Sequence, residues 1–186
     1  MRILLILILL SSSFTLKAGK FIGYYVTNNL DTISCYFNLA DFDYYDLAGI
    51  SKKVIIVDNE GVKKFKPHEI ICFAIVFSEQ EQYKFVSLKE DPKKFYHEIV
   101  YGKLSLYKTY SMSLYHGVPS ITTVLLKHGM LFTLSGFNTK QAISELLIDN
   151  PAILAKWKKT KLFTDADTKI ETIVREYNES FSNKER

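Results

Sequence analysis

Residues 69–77 read Glu69-Ile70-Ile71-Cys72-Phe73-Ala74-Ile75-Val76-Phe77, one acid followed by an unbroken apolar run. A run of this length with nothing polar on either face is expected of a strand covered on both sides, so it predicts the central strand of a sheet. Pro67-His68 breaks the chain just before it. One side of such a strand needs a cover, which the carboxy-terminal third of the chain is expected to supply as helices.

Working outward, the flanking segments carry the period-two alternation of half-buried strands. Phe21 to Thr27 and Thr32 to Phe37 are predicted as a hairpin turning through Asn28-Asn29-Leu30-Asp31. In its second strand Ile33, Cys35 and Phe37 share one face, while Thr32, Ser34 and Tyr36 share the other. Lys53 to Val57 and Val62 to Lys66 make a second hairpin, with Gly61 supplying a positive φ at the turn. Downstream, strands are expected over Gln82 to Leu88, Phe95 to Tyr101, Leu104 to Tyr110, Thr122 to Lys127 and Met130 to Leu134. The stretch Leu39 to Ser51 fits neither period and reads as an aromatic loop.

The pattern changes after Gly136. Asn138 or Thr139 can cap a helix with Ala142, Ile143, Leu146 and Leu147 on one face, and Asn150-Pro151 ends it while opening a second helix carrying Ile153, Leu154 and Trp157. A third helix starts near Thr164 to Asp167 and presents Ile170, Ile173, Val174, Tyr177 and Phe181 as one stripe. The reading is a single α+β unit: a β-rich region over residues 19–136, antiparallel and curved or barrel-like, with two or three helices over 137–186 packed on it.

At 186 residues, with 47% hydrophobic and 24% charged, the chain can bury a real core, which excludes disorder and any need for a metal or disulfide staple. The amino terminus has a different character. Met1-Arg2 precedes an apolar run from Ile3 to Leu10, a serine-rich stretch and the small residue Ala18, the layout of a secretory signal peptide over residues 1–18. The run is too short for a membrane anchor, which needs about 20 apolar residues. No Cys follows it closely, the first being Cys35, so a lipid-modified terminus is not expected. Of the 24 Lys and Arg, cleavage would remove Arg2 and Lys17, leaving the mature chain close to neutral against its 20 acids. That balance argues against a nucleic-acid partner.

The chemistry-bearing residues are scattered. His68, His97, His116 and His128 lack zinc-ligand spacing, so no metal or cofactor is expected. There is no Gly-x-Ser-x-Gly elbow and no Gly-rich phosphate loop. Glu79, Glu81, Glu90, Asp91 and Glu98 read as solvated turn charges rather than a carboxylate pair for glycoside hydrolysis. Cys35 and Cys72 form an even pair that an oxidising compartment can cross-link, or stay as two small buried hydrophobes; sequence leaves both open. The most distinctive feature is aromatic, 12 Tyr and 13 Phe. Most Phe are expected in the core. Tyr24, Tyr44, Tyr45, Tyr107, Tyr110 and Tyr115 are harder to bury together, and the loop residues Phe42, Tyr44 and Tyr45 are the candidate binding residues.

Several short stretches, taken in order, resemble the small exported proteins of unknown function abundant in Bacteroidota-type bacteria. They are Gly23-Tyr24-Tyr25-Val26-Thr27 with Asp31-Thr32-Ile33, then Lys64-Phe65-Lys66-Pro67-His68-Glu69-Ile70, Gly102-Lys103-Leu104-Ser105-Leu106-Tyr107, and Ile173-Val174-Arg175-Glu176-Tyr177-Asn178. The resemblance implies an envelope location and brings no catalytic residue.

The expected function is that of an exported, non-catalytic binding or interaction module, in the periplasm or at the cell surface, holding an envelope protein or glycan. A small hydrolase of envelope polymers is the alternative, and a transmembrane barrel comes third, disfavoured by the charged end Lys184-Glu185-Arg186. No transmembrane span is expected once the signal is removed. Mass spectrometry of the protein from its host should find a chain starting at or near Gly19; an intact Met1 species held in the membrane would refute the signal assignment.

Overall fold

A computed structural model describes residues 19–39, 43–112, 119–162 and 164–182, so the expected signal segment lies outside the described residues. The strands are β1 (Gly19–Thr27), β2 (Thr32–Leu39), β3 (Val54–Asp58), β4 (Gly61–Phe65), β5 (Ile70–Val76), β6 (Gln82–Leu88), β7 (Asp91–Val100), β8 (Ser105–Met112), β9 (Pro119–Lys127) and β10 (Met130–Thr133). A short helix α1 (Tyr44–Ile50) interrupts them, and α2 (Thr139–Leu146), α3 (Pro151–Lys159) and α4 (Ala166–Ser182) follow.

All the strands join one antiparallel sheet in the order β10-β9-β8-β7-β6-β5-β1-β2-β3-β4. The α+β reading therefore holds, in its open form: β4 and β10 are edges, so the sheet does not close into a barrel. It curls instead. Although β6, β5, β1 and β2 stand between β7 and β3, the Phe95 amide at the heart of β7 donates to the Ser51 carbonyl just before β3 at 2.8 Å.

β1 enters between β2 and β5 and pairs with both. Gly23 makes that possible, because a Cβ there would stand 2.0 Å from the Ala74 carbonyl oxygen and 2.5 Å from the Phe37 ring. The turns follow the expected chemistry: Gly61 has φ 118°, and His128 and Gly129, both at positive φ, link β9 to β10. Leu30 takes a left-handed φ of 71° in the first hairpin, a conformation that residues other than Gly and Asn seldom adopt.

β5 is inside the sheet with both faces buried, as its composition predicts, but its cover is not the one expected. Phe73 is the hub on one face: it stacks on Phe85 with ring centroids 4.9 Å apart and meets Phe95 edge-on at 5.0 Å. Leu47, Ala48 and Ile50 of α1 join the same core. α1 occupies the stretch expected to be loop. Asp43 starts it by accepting the Asp46 amide on its side chain and the Leu47 amide on its carbonyl. Seven residues are too few to show a helical period, and the helix persists because it is packed against β3, β8 and β9 inside the curl.

The carboxy-terminal helices cover the other end of that face. Leu106 and Leu125, paired across β8 and β9, pack with Ile143, Leu147, Trp157, Ile170, Ile173 and Val174. Polar contacts fix the docking. Lys127 is buried and donates to the Leu146 carbonyl and to Asp149, which also accepts from the Tyr177 hydroxyl at 2.8 Å. Burial alone would raise the Asp149 carboxyl, but hydrogen bonds from Lys127 and Tyr177 hold it below the usual range. Asn178 clamps Leu104 through both its amide and its carbonyl, 3.0 and 2.9 Å, and leaves no room for a side chain at Gly102. Among the described residues no helix is long and apolar enough to cross a membrane.

Ile173 is 3% exposed in this core, whereas Arg175 faces solvent, pairing with Glu171 and reaching the Ile99 carbonyl. Ile173→Asp should cost about 3–5 kcal/mol, since it removes packed apolar volume and buries a carboxylate. Arg175→Ala should cost less than about 1 kcal/mol. Thermal melts should therefore separate the two by on the order of 10 °C; equal melting temperatures would show that α4 is not docked.

Candidate functional site

Of the three expected binding aromatics, Phe42 lies outside the described residues. Tyr44 and Tyr45 form the start of α1 rather than a loop, and their side chains are outside the described part as well. Tyr107 and Tyr110 are buried, Tyr24 is half-buried, and Tyr115 is outside the described residues. The cysteines do not bridge. Cys35 and Cys72 are both free and buried, and their partners on β1, Gly23 and Val26, are an odd number of residues apart, so the two thiols lie on opposite faces of the sheet. Burial pushes the Cys35 thiol up to about 12, leaving it protonated at neutral pH.

The histidines divide by environment. His97 is a core residue: its Nδ1 meets the Tyr110 hydroxyl at 2.8 Å and its ring stacks against Tyr83 and Phe85. Burial, with Lys108 nearby, lowers its imidazole to about 4, so it is neutral at physiological pH. His128 is exposed in the β9–β10 turn, and His116 lies outside the described residues. Among the described residues no three His, Cys, Asp or Glu side chains are grouped to hold a metal ion.

His68 is different. It borders a cleft of about 330 Å³ where three separate segments meet. The turn after α1 brings Lys52 and Lys53, the 3-10 turn between β4 and β5 brings Lys66, Pro67 and His68, and the start of β7 brings Pro92 and Lys93. Four lysines and His68 line one volume without a carboxylate-bearing residue among them.

Each wall is fixed by the fold. Ser51 is buried; its hydroxyl donates to the Leu47 carbonyl, ending α1, and its carbonyl accepts from Phe95, which sets Lys52 and Lys53 opposite Lys93. Pro67 is buried beneath the 3-10 turn, and Asn28 from the first hairpin donates to the carbonyls of His68 and Glu69. Two acids flank the lining residues in sequence and are held by hydrogen bonds rather than ion pairs. Glu69 accepts the Lys66 backbone amide at 2.6 Å, while Asp91 accepts the Lys93 amide and the Tyr96 hydroxyl. Lys52, Lys53, Lys66 and Lys93 are all exposed, and among the described residues none forms an ion pair.

Lysines gathered on one cavity whose lining holds no carboxylate favour an anion, since like charges on its walls raise the local positive potential. The sequence signal was present as the lysine pairs Lys52-Lys53 and Lys93-Lys94, with Lys66 beside Pro67. Each alone is an ordinary solvated segment, and their convergence is set by the curl of the sheet. Overall near-neutrality concealed a local concentration of positive charge.

A second cavity of about 360 Å³ lies between the β9–β10 hairpin and the end of α2, lined by Met130, Phe132, Leu146 and Ile148. Of its charged lining, Lys127 and Asp149 belong to the network that docks the helices and Glu145 accepts from Gln141 on the same helix. Comparison of the chain with protein-family models, with curated proteins and with solved structures gives no match.

Proposed function

We propose that this chain is an exported, non-catalytic binding module of the cell envelope, allied to the small exported proteins it resembles, and that it holds an anionic envelope component in the lysine cleft. The observation that carries this reading is the convergence of Lys52, Lys53, Lys66 and Lys93 on one cavity without a carboxylate in its lining. The signal-like residues 1–18 support the export part of the reading. The cleft offers positive charge and hydrogen-bond donors, the equipment of a holder. A hydrolase would need a general base or nucleophile beside the bound group, and the cleft lining contributes only lysines, prolines and His68.

An ammonium about 4 Å from an anion is worth about 1 kcal/mol in a water-like setting and about 4 kcal/mol near a partly shielded surface. Several such contacts give useful affinity that falls as salt rises. The test is binding of the mature chain to protein-free envelope glycan, followed by light interferometry at two salt concentrations. Lys52→Glu, Lys66→Glu and Lys93→Glu together should lower affinity at least tenfold. Lys158→Glu, Lys159→Glu and Lys161→Glu, an equal charge change on exposed lysines at and beyond the end of α3, should leave it within twofold. Equal losses would reduce the effect to net charge and remove the cleft from the function, and progressive shortening of the glycan would establish the hydrolase in place of the binder.

A further inference from the structure

We propose that the cleft recognises a phosphorylated sugar, with the phosphate among the lysines and the sugar ring against the proline and imidazole surfaces; this rests on the binding-module reading above. Three features of the cavity select that ligand class.

The first is the kind of cation. All the charged groups lining the cleft are Lys, and the chain's only arginines are Arg2, Arg175 and Arg186. The cleft lacks the planar guanidinium fork that fits carboxylate and phosphate alike, so any anion there is met by point charges. Ammonium groups are compact charges with three donors each, and arriving from three segments they can surround the oxygens of a tetrahedral group.

The second is the amount of charge. Four lysines without a carboxylate in the lining are poorly compensated by the single charge of a uronic acid, whereas a phosphomonoester carries about −1.5 to −2 near neutral pH. The third is the remaining surface. Pro67 and Pro92 contribute apolar ring faces and His68 an imidazole, and a volume of about 330 Å³ exceeds what a bare phosphate occupies. It falls within the range of about 300–1,000 Å³ usual for small-molecule sites, where an apolar lining orients the ligand and a few polar groups fix it.

Calorimetry of the mature chain at constant ionic strength tests this with glucose 6-phosphate, glucuronate, inorganic phosphate and a short single-stranded oligonucleotide. Glucose 6-phosphate should bind at least tenfold more tightly than glucuronate and than inorganic phosphate. Lys66→Ala with Lys93→Ala should weaken it tenfold or more, and Lys158→Ala with Lys159→Ala should not change it. If the cleft variant melts at a lower temperature than the parent, Lys52→Gln with Lys53→Gln takes its place and should show the same loss. Glucuronate binding as tightly as the phosphosugar would overturn the phosphate assignment and leave the binding module standing. Inorganic phosphate binding as tightly would overturn the sugar part, and an oligonucleotide binding more tightly would overturn the glycan class. Binding of none of the four would overturn this proposal and remove the cleft from the proposed function as well.

Discussion

The hydrogen bond from the Phe95 amide to the Ser51 carbonyl, 2.8 Å long, holds together parts of the sheet that are far apart in strand order. It forms at a residue that is itself buried and whose hydroxyl closes the last turn of α1. A buried carbonyl left without a donor is costly, so the contact favours the curled sheet over a flatter one. Lys52 and Lys53 follow directly on one side of this bond, and Lys93 lies two residues before it on the other. The geometry of the cleft is thus a by-product of how the core closes around α1.

That closure in turn relies on β1. The chain forms β2-β3-β4 as one meander and β5 through β10 as another, and β1 joins them by pairing with β2 on one side and β5 on the other. The pairing with β2 is a local hairpin, but that with β5 spans the whole of β2, α1, β3 and β4, so its loop-closure entropy must be met before the aromatic core around Phe73 can reward it. Gly23 lets the Phe37 ring lie directly on the strand at that junction. The carboxy-terminal helices are anchored separately, by Lys127, Asp149 and Tyr177 and by the grip of Asn178 on Leu104. Two of the stretches that carry the sequence resemblance, Gly102 to Tyr107 and Ile173 to Asn178, meet at that clamp.

What was legible in the sequence was local. Alternation over Ile33, Cys35 and Phe37 placed β2, the apolar run at residues 70–77 placed β5 inside the sheet, Gly61 marked a turn, and the stripe from Ile170 to Tyr177 gave α4 its buried face. What was illegible depended on distant partners. α1 is too short for its period to show among aromatic and acidic neighbours, and it is helical because Leu47, Ala48 and Ile50 are packed inside the curl. The helices were expected over β5 but lie against β7, β8 and β9, a choice made by pairs such as Leu106 and Leu125 that no single segment displays. The cysteines could not be assigned because their faces depend on the register of β1 with two different strands. Lysines in three segments carried no sign that those segments would meet.

The central claim is that these three segments form one anion site, and residue-resolved NMR measures that most directly. On titrating the mature chain with glucose 6-phosphate, the amide signals of Lys52, Lys53, His68 and Lys93 should shift together, saturate, and fit one dissociation constant, while those of Lys158, Lys159 and Lys161 stay in place. Shifts distributed over exposed lysines without saturation, or separate dissociation constants for the three segments, would contradict a single assembled site.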